Sequence, residues 1–74
     1  MSRLPTLTAK QVLKALQRGG FVMGHQRGSH LHLFHPETGR ITTVPMHPGD
    51  LGRGLLKEII KQAGYTEEAF RALL

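Results

Sequence analysis

The 74 residues contain no cysteine and no tryptophan. Without cysteine there is no disulfide framework and no thiolate metal site. That suits a reducing compartment, and a cytoplasmic location is expected. No apolar run approaches the roughly 18 residues of a membrane span. The N-terminus lacks the apolar core of a signal peptide, so no membrane partner is expected. Repeats, linkers and low-complexity stretches are also missing, which predicts one domain over residues 1–74. A chain this short buries only about 60% of the surface it exposes when unfolded. Its core must be efficient or helped by a partner. Hydrophobic residues make up 39%, enough for a core and too many for a disordered tail.

Acidic residues are scarce. Five Asp and Glu stand against ten Lys and Arg, a net charge of +5. The excess is uneven: residues 1–37 carry five basic and one acidic side chain, residues 38–74 five basic and four acidic. A small basic chain is a candidate for a polyanion partner, most often nucleic acid. The plainer reading of the charge is solubility.

The centre of the sequence is Arg27-Gly28-Ser29-His30-Leu31-His32-Leu33-Phe34-His35. Arg27-Gly28 predicts a hairpin turn, with Gly28 taking positive φ. The period-2 alternation after it predicts a strand with Leu31 and Leu33 on one face and His30, His32 and Phe34 on the other. Upstream, Thr8 and Gln11 read as a capping box, and Leu7 and Val12 as a hydrophobic staple. Ala9, Val12, Leu13 and Leu16 form the apolar stripe of the helix that follows. Gly19-Gly20 ends it. Residues 1–5 read as a loose lead-in.

Phe21 to Gln26 predicts the first strand. The turn placed at Arg27-Gly28 sets His25 opposite His30, Met23 opposite His32 and Phe21 opposite Phe34, with Val22 and Gly24 facing Leu33 and Leu31. Gly39 makes a second turn, and Arg40 to Val44 a third strand closed by Pro45. Met46 to Gly54 is a glycine-rich loop. A helix over 53–63 follows, with Leu55, Leu56, Ile59, Ile60 and Ala63 as its core stripe. Thr66 caps a last short helix docked by Ala69, Phe70, Leu73 and Leu74. The expected fold is α+β, α-β-β-β-α, with a three-stranded antiparallel sheet and helices on one face. That layout resembles the double-stranded-RNA-binding-domain fold and leaves the other sheet face open.

Five histidines carry most of the possible chemistry. Histidine titrates near neutral pH and can both take and give a proton. RNA cleavage needs a base for the ribose 2′-hydroxyl, an acid for the leaving 5′-oxygen, and cations for the phosphate. His30, Arg27 and the N–H groups near Gly28-Ser29 can supply these parts; a solvated strand face explains the same residues. His30 and His32 at i, i+2, with His25 beside them, can also chelate a metal, but no acidic residue has reason to join them, and no metal is expected. Phe34 either stacks on a base or rests on Phe21. The loop 49–54 lacks the P-loop lysine pattern, so nucleotide triphosphate binding is not expected. Arg53, Lys57 and Lys61 follow one helix face, as a solvated flank or a backbone contact.

Four blocks then resemble a known family: Gly19-Gly20-Phe21, Arg27-Gly28-Ser29-His30, Val44-Pro45-Met46-His47, and Gly54-Leu55-Leu56-Lys57-Glu58-Ile59-Ile60-Lys61-Gln62-Ala63-Gly64. In this order they look like the HicA mRNA interferases, toxins of HicA–HicB toxin–antitoxin pairs. The likeness runs from about Thr8 to Phe70. It implies a metal-independent, cofactor-free ribonuclease acting on messenger RNA, with His30 catalytic. It implies that Gly28 and Ser29 shape the turn presenting His30, and that a HicB-type antitoxin covers the active face. His32 and Phe34 depart from the family, which more often has an apolar and a basic residue there. His47 and His32 are candidates for the second proton-transfer group, with Ser29 as a further assistant. Arg27, Lys10, Lys14, Arg53 and Lys57 are candidate RNA contacts. A non-catalytic RNA-binding module of the same fold is the alternative; a subunit that only binds another protein is a third reading.

Overall fold

The computed structural model describes residues 4–74. Its elements are α1 (Ala9–Arg18), β1 (Val22–Arg27), β2 (His30–Phe34), β3 (Ile41–Pro45), α2 (Arg53–Gln62) and α3 (Glu67–Arg71). The three strands form one antiparallel sheet in the order β1-β2-β3. This is the expected α-β-β-β-α order with a short C-terminal helix.

Local chemistry starts and stops α1. The Thr8 hydroxyl accepts from the Gln11 N–H at 3.2 Å, and Gln11 Oε1 accepts from the Thr8 N–H at 2.9 Å. Both halves of a capping box are therefore present. Leu7 and Val12, at the staple positions, are both buried. At the other end Phe21 N–H donates to Leu16 C=O and Gly20 N–H to Gln17 C=O, both at 3.0 Å. That is the Schellman pattern, and it needs the left-handed conformation Gly20 adopts at φ +103°. Tyr65 and Gly64 close α2 the same way, onto Ile60 and Lys61.

Leu31 and Leu33 of β2 and Val44 of β3 are buried beneath the helices, with Val12, Leu16, Leu56, Ile59, Ile60 and Phe70. Among the described residues Thr42 is the one buried polar side chain, and its hydroxyl donates to Gln62 Oε1 at 2.9 Å. The helices cover β2 and β3 only. All six residues of β1 are exposed, so this edge strand stands clear of the helices.

Several sequence expectations are corrected. The hairpin turn is Gly28-Ser29; Arg27 closes β1 and pairs with His30. Gln26 then faces Leu31, the register slips at Gly24-His25, and Met23 faces Leu33 and Val22 faces Phe34. The cause is a β-bulge, which sets two residues against one and has no signature in the alternation. Leu55, expected in the core, is 42% exposed. Phe21 lies beneath the sheet against His35 and Tyr65, while Phe34 lies over Gly24, so Phe34 does not rest on Phe21. Ala69 and Leu74 are exposed; Phe70 alone is fully buried in the last helix. Residues 1–3 of the supposed lead-in lie outside the described residues, whereas Leu4 is 2% exposed and belongs to the core.

Candidate active site

The open sheet face is set by register. Arg27 of β1, His30 of β2 and Pro45 of β3 form one cross-strand row. Next along is His32 beside Thr43, with the bulge residues Gly24 and His25 opposite. Val22, Phe34 and Ile41 form the third row. The face therefore grades from cationic at the turn to apolar at the far end.

His30 stands at the turn end of β2 and is exposed. Ser29, just before it, accepts the Met46 N–H on its carbonyl at 2.6 Å. This bond ties the hairpin turn to the exit of β3 and carries His47 alongside. The His30 and His47 rings are 6.3 Å apart, centroid to centroid, and nearly perpendicular at 83°. Ser29 Oγ lies 3.4 Å from His47 Nε2. The Gly-Ser-His triplet and the Val-Pro-Met-His block, far apart in sequence, thus meet in space.

His32 is placed differently. Its Nδ1 is 2.8 Å from Thr43 Oγ1, and its ring stacks on His25 at 6.2 Å and 9°. Its partners are His25 and Thr43, not His30. His35 is structural. Its Nδ1 accepts from the Glu37 and Thr38 N–H groups, at 3.2 and 3.4 Å, so its Nε2–H donates to Gly19 C=O at 3.0 Å. Among the described residues no group of three or more His, Asp or Glu converges as metal ligands.

A cleft of about 440 Å³ opens beside the two histidines. His30 and His47 line one side, with Thr43 and Pro45 of β3. Leu55, Glu58, Ile59 and Gln62 of α2 line the other. Sequence reasoning missed these α2 residues as site residues. Their spacing, i, i+3, i+4, i+7, marks one helix face, but only the tertiary structure shows that this face borders the β3 edge.

The basic residues divide. Arg27 shares the row of His30. Lys10 lines a second cleft that also holds His47, with Met46, Pro48 and Gly49. Lys14 lies elsewhere, beside Gln11, Arg18 and Leu74. Arg53 Nη1 donates to Leu4 C=O at 2.8 Å, fastening the N-terminal segment to α2. Lys57 sits 3.9 Å from Glu67 in an exposed pair, worth little in stability.

A family model, the HicA toxin of bacterial toxin–antitoxin systems, matches residues 9–65, well over half of the chain. No curated protein matches it.

Proposed function

The chain belongs to the HicA toxin family, and from that premise we propose that it is an endoribonuclease cleaving messenger RNA in the cytoplasm by histidine acid–base catalysis. His30 takes the proton of a ribose 2′-hydroxyl. The 2′-oxygen attacks the adjacent phosphorus, forming the P–O2′ bond as the P–O5′ bond breaks. His47 gives its proton to the leaving 5′-oxygen. The products are a 2′,3′-cyclic phosphate and a 5′-hydroxyl end. Arg27 offsets charge gathering on the phosphate. No metal or small-molecule cofactor enters these steps.

The observation that carries the reading is the meeting of His30 and His47, 6.3 Å apart beside an open cleft. Two exposed imidazoles this close can serve one phosphodiester laid along their outer edges, one as base and the other as acid. His47 fits the second role better than His32, whose partners are His25 and Thr43. Ser29 Oγ orients His47. Lys10 extends the cationic track past His47; Lys14, Arg53 and Lys57 are more distant or already partnered, and their contacts to RNA are secondary. A HicB-type antitoxin is the proposed protein partner, covering the open face and taking Val22, Phe34 and Ile41 (40, 43 and 64% exposed) out of water.

The test incubates the protein and His30→Ala with a messenger RNA in the presence of a chelator. The expected result is cyclic-phosphate ends from the parent and a loss of about 10²–10⁴-fold in the variant. His47→Ala should also slow cleavage. Equal cleavage by parent and His30→Ala removes the assignment. Salt-sensitive RNA binding by both proteins without cleavage returns the chain to the non-catalytic alternative.

A further inference from the structure

We infer that the cleft between β3 and α2 is a base-recognition subsite, and that it takes guanine from a nucleotide flanking the scissile phosphate. The inference rests on the ribonuclease reading for its place in the reaction. The shape of the cleft and its chemistry are independent of that reading.

The α2 wall of the cleft, across from His30 and His47, is the wrong place for a phosphate. No lysine or arginine stands on that wall, and Glu58 does. A phosphate there would meet like charge. The phosphate belongs at the opposite wall, with His30 and His47 and the Arg27–His30 row of the open face. What remains for the cleft is the uncharged part of a nucleotide. Its volume, about 440 Å³, falls within the range of small-molecule sites, about 300–1,000 Å³. Pro45, Leu55 and Ile59 supply apolar surface for a flat ring. Leu55 is an apolar residue left 42% exposed at the rim, where an inserted base would cover it.

The polar groups then select the base. Glu58 makes no ion pair among the described residues. Its carboxylate offers two acceptor oxygens and no donor. Gln62 has its Oε1 engaged by Thr42, so its amide N–H₂ is what it can offer a ligand. The two side chains are one helical turn apart on the same face of α2. Together they present two acceptors beside a donor. The Watson–Crick edge of guanine carries two adjacent donors, N1–H and N2–H, beside one acceptor, O6. No other RNA base has two donors side by side: adenine and cytosine each present a single amino group next to an acceptor, and uracil has one N–H between two carbonyls. A charge-assisted pair of hydrogen bonds from guanine to Glu58 is therefore the best match.

Two measurements test this. In the first, cleavage sites of the parent and of Glu58→Gln are mapped on a random-sequence RNA. The parent should prefer guanine beside the cut at least tenfold over each other base. Glu58→Gln should bring that preference to within about threefold of parity while still cutting at the remaining sites. A parent with no preference, a preference for another base, or a variant that keeps the guanine preference overturns the proposal. In the second, amide spectra are recorded while the four nucleoside 3′-monophosphates are added one at a time. Guanosine 3′-monophosphate should shift the Leu55, Glu58 and Gln62 signals at a concentration at least tenfold lower than the other three. Equal response to all four overturns the proposal. This arm stands without any cleavage: guanine binding by a protein that cuts nothing would fail the nuclease reading and keep the subsite. Cleavage with neither base preference nor selective shifts would do the reverse. If Glu58→Gln changes neither readout and only weakens antitoxin binding, the cleft belongs to the protein interface and the proposal fails.

Discussion

Gly20 meets two separate demands. Its φ of +103° lies where side chains are strained, and a Cβ there would stand 2.7 Å from His35 Nε2. His35 would have to move, and its hydrogen bond to Gly19 C=O would go with it. Gly20→Ala should therefore cost about 1–3 kcal/mol through backbone strain, plus about 1 kcal/mol for the lost bond. Gly39→Ala is the control. It has φ +76° but open space around the Cβ, so it carries the strain alone. Thermal melts of both variants check this; equal losses would mean that His35 adjusts freely. The histidines show what a sequence can and cannot say at this scale. His30 and His32 are legible as open-face residues because alternation fixes the face. That His35 is a structural ligand of the α1 terminus is not legible, since it depends on Gly19 and on Phe21, whose ring meets it edge-on at 5.1 Å.

Elements differ in how far local signals decide them. The helices were legible because their boundaries are chemical. Thr8 and Gln11 close a capping box, Thr66 accepts the Ala69 N–H at 3.0 Å, and glycines follow both long helices. The strands were legible as strands, but β1 was not legible in register. The slip at Gly24-His25 adds one residue against β2, and a one-residue slip exchanges the faces of everything beyond it. The bulge is what sets His25 beside His32, and the sequence reached that neighbourhood through a different pairing. The meeting of His30 and His47 was not legible either, because it depends on the β2–β3 register and on the Met46-to-Ser29 bond. The cap offers a clean test at this scale. Thr8→Ala removes the acceptor for the Gln11 N–H and should cost about 0.5–2 kcal/mol. In the Thr8→Ala background, Gln11→Ala should cost less than it does alone, because each half of the box supports the other. Additive losses in urea melts would mean the two bonds act independently.

At the scale of the molecule, Tyr65 links three regions. Its ring lies between Phe21 and Phe70, with centroids at 6.2 and 6.4 Å, and its hydroxyl donates to Gly19 C=O at 3.3 Å. It thus joins the end of α1 and the start of the sheet to α3. Burial raises the Tyr65 pKa above its ordinary value of 10.0 by disfavouring the charged form. The sign of the stability effect follows. The unfolded chain loses this proton near pH 10, whereas the folded chain holds it to higher pH. The contribution of Tyr65 is complete below about pH 10 and is lost as pH rises through the raised folded value. Ionisation also removes the donor to Gly19 and leaves an anion facing a carbonyl oxygen. The parent alone cannot isolate the effect; Tyr65→Phe can. At neutral pH that variant should be less stable by about 0.5–1.5 kcal/mol, the usual net worth of one hydrogen bond. Between neutral pH and pH 11 it should lose less stability than the parent, so the two curves converge as the parent phenol ionises. Parallel curves in urea melts across that range would show that Tyr65 ionises without cost to the fold, and that the α1–α3 link does not depend on its proton.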